Sequence, residues 1–214
     1  MMRSSLLAFV IVAIGCGSLY AASAATQPAS ASQPAEEKGK TDPPGLPLEA
    51  KLVLKKDTYQ IKEGQSGEAF ARGLKERGKP PKQPPAPPEV EMTFELTNTG
   101  KKSITIPLGS DASSLNLKLE GPGAVTIPYV QMRTMEYRIG KPVTIGPGKS
   151  ITIPIARLLH GMRGDSSASY WTEAGTYTLT ASYVTPVEGL DLKEDQQATI
   201  TAAPVKVKVT EPAK

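Results

Sequence analysis

The chain has 214 residues, enough for one domain with terminal tails. Its 20 prolines and 19 glycines, against only 5% aromatic residues, favour short strands joined by turns over a helical fold. The formal net charge of +4 comes from basic residues spread along the chain without interleaved aromatic side chains, so nucleic acid is not an expected partner.

Cysteine and histidine each occur once, at Cys16 and His160. One histidine cannot build a histidine-based metal site, and one cysteine cannot form an internal disulfide. We therefore expect neither a metal ion nor another cofactor.

Residues 1–25 predict a secretory signal peptide, with Arg3 in a short positive region, an apolar core at 6–14 and small residues up to Ala25. The apolar run is too short to span a membrane. A second interpretation stays open, because Ala13-Ile-Gly-Cys16 resembles a bacterial lipoprotein box in which Cys16 is lipidated. Both predict a secreted, periplasmic or cell-envelope protein, and a lipid anchor is the only expected membrane attachment.

Residues 26–47 are rich in Gln, Pro, Ala, Ser, Glu and Lys. This composition cannot bury enough apolar surface to offset ordering, so it predicts a disordered linker. The folded domain is expected at 48–210, with a short tail at 211–214.

The domain begins with predicted strands at 48–54 and 58–61, followed by an insert at 62–88. The first half of the insert, 67–77, predicts a short helix with Phe70 and Leu74 on one face. The second half is rich in proline and predicts an extended polyproline II segment.

This insert is also the most basic segment of the chain and a candidate partner contact through Arg72, Lys75 and Arg77. The alternative is a solvated connection with a small packed helix.

Residues 89–98 alternate cleanly and predict a strand with Val90, Met92, Phe94 and Leu96 facing inward. The turn Asn98-Thr-Gly100 and a short strand at 103–107 complete a predicted hairpin. Further strands are expected at 115–119, 124–127, 135–139 and 198–210, and within 143–155 on both sides of a Gly-Pro-Gly turn. A short helical turn is expected at 156–160, followed by a glycine-rich loop at 161–169.

The clearest strand signal runs from Tyr170 to Tyr183 and includes the only tryptophan, Trp171. Tyr177, Leu179 and Ala181 fall on one face, with threonine and serine on the other. Glu173-Ala-Gly-Thr-Tyr177 resembles the start of strand F in immunoglobulin-like sandwiches, where the tyrosine hydroxyl bonds back to the backbone. Leu179 stands where those domains carry a cysteine, which implies a sandwich without the disulfide.

About seven to nine short strands at this spacing predict an all-β fold, an immunoglobulin-like antiparallel β-sandwich with a proline-rich basic insert and short helices. The strand followed by Asn98-Thr-Gly100 and a second short strand resembles bacterial immunoglobulin-like extracellular modules, including the BsuPI-like group of proteinase inhibitors. That resemblance implies an exposed inhibitory loop, for which 62–88 and 166–169 are the candidates.

Catalytic patterns are missing from the sequence. His160 could join Asp165 and a serine, but no nucleophile motif surrounds any serine. Asp111 and the acidic cluster Glu188, Asp191, Glu194 and Asp195 match the spacing of no calcium loop. The protein is therefore not expected to be an enzyme.

The favoured hypothesis is a non-catalytic binding or structural module that acts through loops of the sandwich, as a monomer, on an unknown envelope protein or polysaccharide. Besides the insert, the candidate contacts are His160, Arg163, Tyr170 and Trp171 in a loop at 159–173. Two alternatives stay open. One is the protease inhibitor, and the other is a carbohydrate-binding module whose aromatic platforms could only come from Tyr129, Tyr137, Tyr170 and Trp171.

Overall fold

The computed structural model describes residues 39–42, 45–77, 84–129, 136–162, 164–188 and 197–212. Within these ranges it has one helix, α1 (Gly67–Arg77), and fourteen strands. The strands are β1 (Lys40–Asp42), β2 (Leu48–Leu54), β3 (Thr58–Gln60), β4 (Glu89–Asn98), β5 (Ile104–Leu108), β6 (Ser114–Glu120), β7 (Ala124–Pro128), β8 (Lys141–Ile145), β9 (Ser150–Arg157), β10 (Leu159–Met162), β11 (Asp165–Trp171), β12 (Gly175–Thr185), β13 (Ala198–Thr201) and β14 (Val205–Thr210). The all-β prediction is confirmed, although the strands outnumber the seven to nine expected.

Several expectations lie outside the described residues: the signal peptide, Cys16, most of the linker, Arg163, and the acidic residues Asp191, Glu194 and Asp195. The described part of the chain has no helix that is both long enough and apolar enough to cross a membrane.

Two sheets face each other across the main core. One has the order β2–β4–β9, and the central part of the other has the order β14–β12–β6. This pairing matches the A-B-E and G-F-C strand orders of an immunoglobulin-like sandwich. The rings of Phe94 in β4 and Tyr183 in β12 are 6.2 Å apart, so the two sheets meet through their inner faces.

Alternation along the two central strands confirms the predicted inner faces. Val90, Met92, Phe94 and Leu96 are all buried in β4. In β12 the buried positions are Tyr177, Leu179, Ala181, Tyr183 and Thr185, whereas Thr178, Thr180, Ser182 and Val184 between them are more exposed. Period-2 patterning therefore located the core of both sheets.

The predicted tyrosine corner is confirmed. The hydroxyl of Tyr177 donates to the carbonyl oxygen of Glu173 at 2.7 Å and also bonds the carbonyl oxygen of Pro122. Gly121 lies against the ring, since a Cβ there would be 2.6 Å from a ring carbon of Tyr177. The corner thus ties the start of β12 to the turn that follows β6.

The predicted hairpin between β4 and β5 is wrong. β5 pairs with β8, whereas β4 pairs with β2 on one edge and β9 on the other. Asn98 explains this because its side chain is fully buried: Nδ2 donates to the carbonyl oxygens of Lys102 (2.8 Å) and Ile145 (2.9 Å), and Oδ1 accepts from the N–H of Gly100 (2.9 Å). Asn98 therefore joins β4 to the β5–β8 pair instead of closing a tight turn.

The folded domain begins earlier than residue 48. β1 pairs antiparallel with β13, and Leu46 packs against the core, so the last part of the predicted linker belongs to the fold. Gly39 passes so close that a Cβ would be 2.3 Å from the carbonyl oxygen of Thr201 and 2.9 Å from that of Ala50. Composition did not reveal this because β1 is held by backbone pairing and not by apolar side chains.

Three further local predictions are wrong. Instead of a helical turn and a glycine-rich loop, residues 159–171 form a β10–β11 hairpin in which His160 lies opposite Ser167. Gly164, with a φ of 87°, supplies the turn. The predicted strand at 135–139 is not formed by residues 136–139, which have no regular structure.

Candidate functional site

Two described parts of the insert, α1 and residues 84–88, pack against the rest of the domain. α1 lies on the outer face of β7 and β11, where Leu74 is 1% exposed and Phe70 packs beside it. The residues beneath the helix form a second apolar cluster: Val125, Ile127, Tyr129, Ala168 and Tyr170. Since the opposite face of β11 carries Trp171 into the main core, this strand is buried on both sides.

Three hydrogen bonds fasten the insert to the sheet. The N–H of Gly67 donates to the carbonyl oxygen of Thr172 at 2.7 Å. The hydroxyl of Tyr170 donates to the carbonyl oxygen of Pro85 at 2.6 Å, and burial raises the pKa of this phenol. Leu158 N–H bonds the carbonyl oxygen of Pro88 at 3.0 Å. Removing the insert would therefore expose a core, which makes deletion a poor test of its function.

The structure describes only some of the basic side chains of the insert that were predicted to contact a partner. Arg72 and Lys75 are exposed on α1. Arg77 is the last residue of the helix, and its side chain is not among those described. The described residues therefore leave Arg72 and Lys75 as exposed candidate contacts and do not test Arg77.

Tyr170 and Trp171 are not surface contacts, because they are 1% and 4% exposed. The indole of Trp171 stacks on Tyr59 at 5.4 Å between ring centroids and lies 6.2 Å from the ring of Tyr177. The prediction that they belong to a binding loop failed because α1 covers Tyr170 on one face of β11, and Trp171 packs into the main core against Tyr59 of β3 and Tyr177 of β12.

His160 is half-buried and belongs to a polar chain in the β7–β11–β10 part of the sheet that runs through the buried Ser169 to the exposed Thr126. Its Nε2 is 3.2 Å from the hydroxyl of Ser169, which is 2.9 Å from the hydroxyl of Thr126. Burial lowers the pKa of His160. Ser169 is 0% exposed, so its hydroxyl cannot be reached by a substrate despite the neighbouring histidine.

Acidic residues do not assemble into a metal site in the described part of the chain. No group of three or more His, Cys, Asp or Glu side chains there could hold an ion. Asp111 instead accepts the N–H of Arg138 through Oδ2 at 3.0 Å, and Glu188 forms a backbone bridge with Thr105.

Residues 136–140, which we call the presenting segment, carry exposed apolar side chains. Tyr137 is 65% exposed and Ile139 is 90% exposed. Arg138 lies between them, and both of its main-chain polar groups are hydrogen-bonded to Asp111. Arg138 N–H donates to Asp111 Oδ2, and Asp111 N–H donates to the carbonyl oxygen of Arg138 at 3.1 Å. Apolar side chains are therefore displayed on a backbone that is held in place.

Gly140 forms the second fixed point of the presenting segment. A Cβ at this position would be 2.7 Å from Cβ of Ser110 and 2.9 Å from the carbonyl carbon of Pro107. Ile139 thus lies between a hydrogen-bonded residue and a tightly packed one, and it points away from both apolar clusters.

Sequence reasoning missed this surface. Tyr137 and Ile139 have the period-2 spacing of a buried strand, and no local signal separates the two situations. Tyr137 was considered only as a sugar platform. The other three aromatic candidates for that role, Tyr129, Tyr170 and Trp171, are all buried.

No protein-family model, curated protein or solved structure matches this chain. What the domain does is therefore inferred from its own residues.

Proposed function

We propose that this domain is a non-catalytic binding module that contacts a protein partner through Tyr137 and Ile139. The observation that supports it is the 90% exposure of Ile139 beside Tyr137 on an anchored backbone. Scattered apolar residues are normal on surfaces, but a neighbouring pair on a fixed segment is a typical contact feature. Because the backbone is already ordered, binding would lose little conformational entropy.

The chemistry of the presenting segment favours a protein over a glycan. A branched aliphatic side chain gains from an apolar pocket, whereas sugar recognition relies on aromatic faces and hydrogen bonds. Arg138 and Lys141 are exposed on either side of Ile139. An apolar pocket with an acidic rim is the complementary surface.

The predicted signal peptide places this activity, as part of the same proposal, outside the cytoplasm or in the cell envelope. A lipidated Cys16 would hold the domain at a membrane without requiring an apolar surface on the sandwich.

The test is capture from envelope extract with residues 39–214, which retain β1. We compare the wild-type domain with a Tyr137→Ser/Ile139→Ser double variant and with a Met162→Ser control, since Met162 is also exposed, at 45%. A partner held by the wild type and the control but lost by the double variant supports the proposal. Retention of every captured protein by the double variant refutes it, provided that all three domains unfold at the same temperature.

A second candidate function is protease inhibition, in line with the BsuPI-like resemblance. Of the two loops expected for this role, 166–169 lies within β11 and the helix in the first half of 62–88 covers that strand, whereas residues 78–83 are outside the described part of the chain. The presenting segment is a further candidate, since exposed side chains on an anchored backbone resemble a substrate held for a cleft. Failure of micromolar domain to inhibit a panel of serine proteases would end this candidacy for the enzymes tested.

A further inference from the structure

Four prolines lie inside strands of the described residues, at positions that share a feature. Pro107 is in β5, Pro128 in β7, Pro142 in β8 and Pro154 in β9. Among the described residues, β7, β8 and β9 each pair with one other strand and so have an outer edge, whereas the outer edge of β5 is bridged at Thr105 by Glu188. Pro107, Pro128 and Pro154 are each the last residue of a Thr-Ile-Pro triplet.

The direction of the Pro154 peptide nitrogen follows from the β4–β9 ladder. Asn98 N–H donates to the carbonyl oxygen of Lys149, in register with the rest of the pair. Hydrogen bonding alternates along antiparallel strands, so Ile151, Ile153 and Ile155 bond β4, while Thr152 and Pro154 point to the outer edge. Proline therefore replaces a donor that would face outward and costs the ladder nothing.

The other three prolines obey the same rule. Tyr129 N–H bonds the carbonyl oxygen of Ser166, which turns the backbone of Pro128 away from β11. Pro107 and Pro142 lie directly opposite each other, and neither can donate, so both must face outward. All four strand prolines thus remove donors from outer edges.

We propose that Pro154 closes the outer edge of β9 to pairing with a second copy of this chain. β9 has eight residues, against five in each of the other three strands, so it offers the longest edge for addition. Ile151 and Ile153 are only half-buried along it, which adds apolar surface to the open backbone groups.

The geometry of a symmetric dimer shows why this position matters. If two β9 strands paired antiparallel about Ile153, Thr152 of one copy would lie opposite Pro154 of the other. The missing N–H removes a ladder bond on each side of the two-fold axis, and the ring occupies the space of the neighbouring strand. This inference is independent of the proposed partner of the presenting segment.

The test is Pro154→Thr, with Ala156→Thr as the control because Ala156 is an exposed residue of the same strand. Light scattering after size exclusion should show the Pro154→Thr variant gaining mass with concentration, towards about twice that of the monomer, while the wild type and the control remain monomeric. A Pro154→Thr variant that stays monomeric at millimolar concentration overturns the proposal.

A rescue variant separates edge pairing from unfolding. Thr152→Pro/Pro154→Thr moves the proline to the other outward position, where its missing N–H again costs the β4 ladder nothing. We expect this double variant to return to the monomer. If it associates as strongly as Pro154→Thr alone, loss of the edge proline is not the cause.

Discussion

Substitution Asn98→Asp replaces a buried amide by a carboxyl of the same shape. At the wild-type position Nδ2 donates to two backbone carbonyl oxygens, those of Lys102 and Ile145, at 2.8 and 2.9 Å. A carboxylate would place an unprotonated oxygen against both. Holding the new carboxyl protonated at pH 7, from an ordinary pKa of about 3.9, costs about 4 kcal/mol.

One proton can serve only one of the two carbonyl oxygens, and leaving the other unpaired costs about 1–3 kcal/mol. The sum of about 5–7 kcal/mol approaches the entire stability of many domains, about 5–15 kcal/mol. The variant should recover about 3 kcal/mol between pH 7 and pH 5, because protonation becomes easier.

Urea unfolding at both pH values, followed by the fluorescence of the single, buried Trp171, measures this effect. Asn116→Asp is the matched control, since Asn116 is half-buried in β6 and donates only to the hydroxyl of Ser114, at 3.2 Å. We expect the control to change stability by less than about 1 kcal/mol. Equal losses in the two variants, or no recovery of Asn98→Asp at pH 5, would refute this account of Asn98.

Two other predictions concern the hydroxyl of the buried Tyr177 and the half-buried side chain of His160. Tyr177→Phe removes the donor to the carbonyl oxygens of Glu173 and Pro122, so the free energy of unfolding should fall by about 1–3 kcal/mol, and a loss below about 0.5 kcal/mol in urea melts would contradict the corner. Burial lowers the pKa of His160 below its unfolded value of about 6.5, so the unfolded chain takes up the proton first as the pH falls. The free energy of unfolding should therefore be highest above a pH of about 6.5 and decline below it. His160→Gln should remove this decline between pH 8 and pH 5. An unchanged dependence of stability on pH would show that the histidine does not contribute to it.

Local periodicity predicted the elements well, because the alternation of burial is written in neighbouring residues. The bounds of β4 and α1 agree with the predicted 89–98 and 67–77. Pairing partners were harder to predict. β5 was assigned to β4 by proximity in sequence, whereas β5 pairs with β8 and the hydrogen bonds of Asn98 join β4 to Lys102 and to Ile145 of β8. Such a role depends on contacts between distant parts of the chain.

Local sequence patterns also failed to predict which residues of the candidate site are exposed. Aromatic and cationic residues were sensible candidates, yet Trp171 is covered by packing that no local pattern encodes. Ile139 was not predicted as a contact because its spacing suggested a buried residue. Its spacing from Tyr137 is that of a core strand, yet both side chains are exposed on a segment that is held by Asp111 and by the packing of Gly140.

The strands that complete the large sheet come from both ends of the domain. β3 pairs in parallel with β14, and the hydroxyl of Thr210 bonds the carbonyl oxygen of Tyr59, 151 residues earlier in the chain. Pairings this distant cannot form until the intervening chain exists, and closing so long a loop is a slow step. A growing polypeptide would thus keep the edge of its early strands open until residue 210 has been made. Premature termination near the C-terminus should leave a species prone to aggregate instead of a slightly shortened domain.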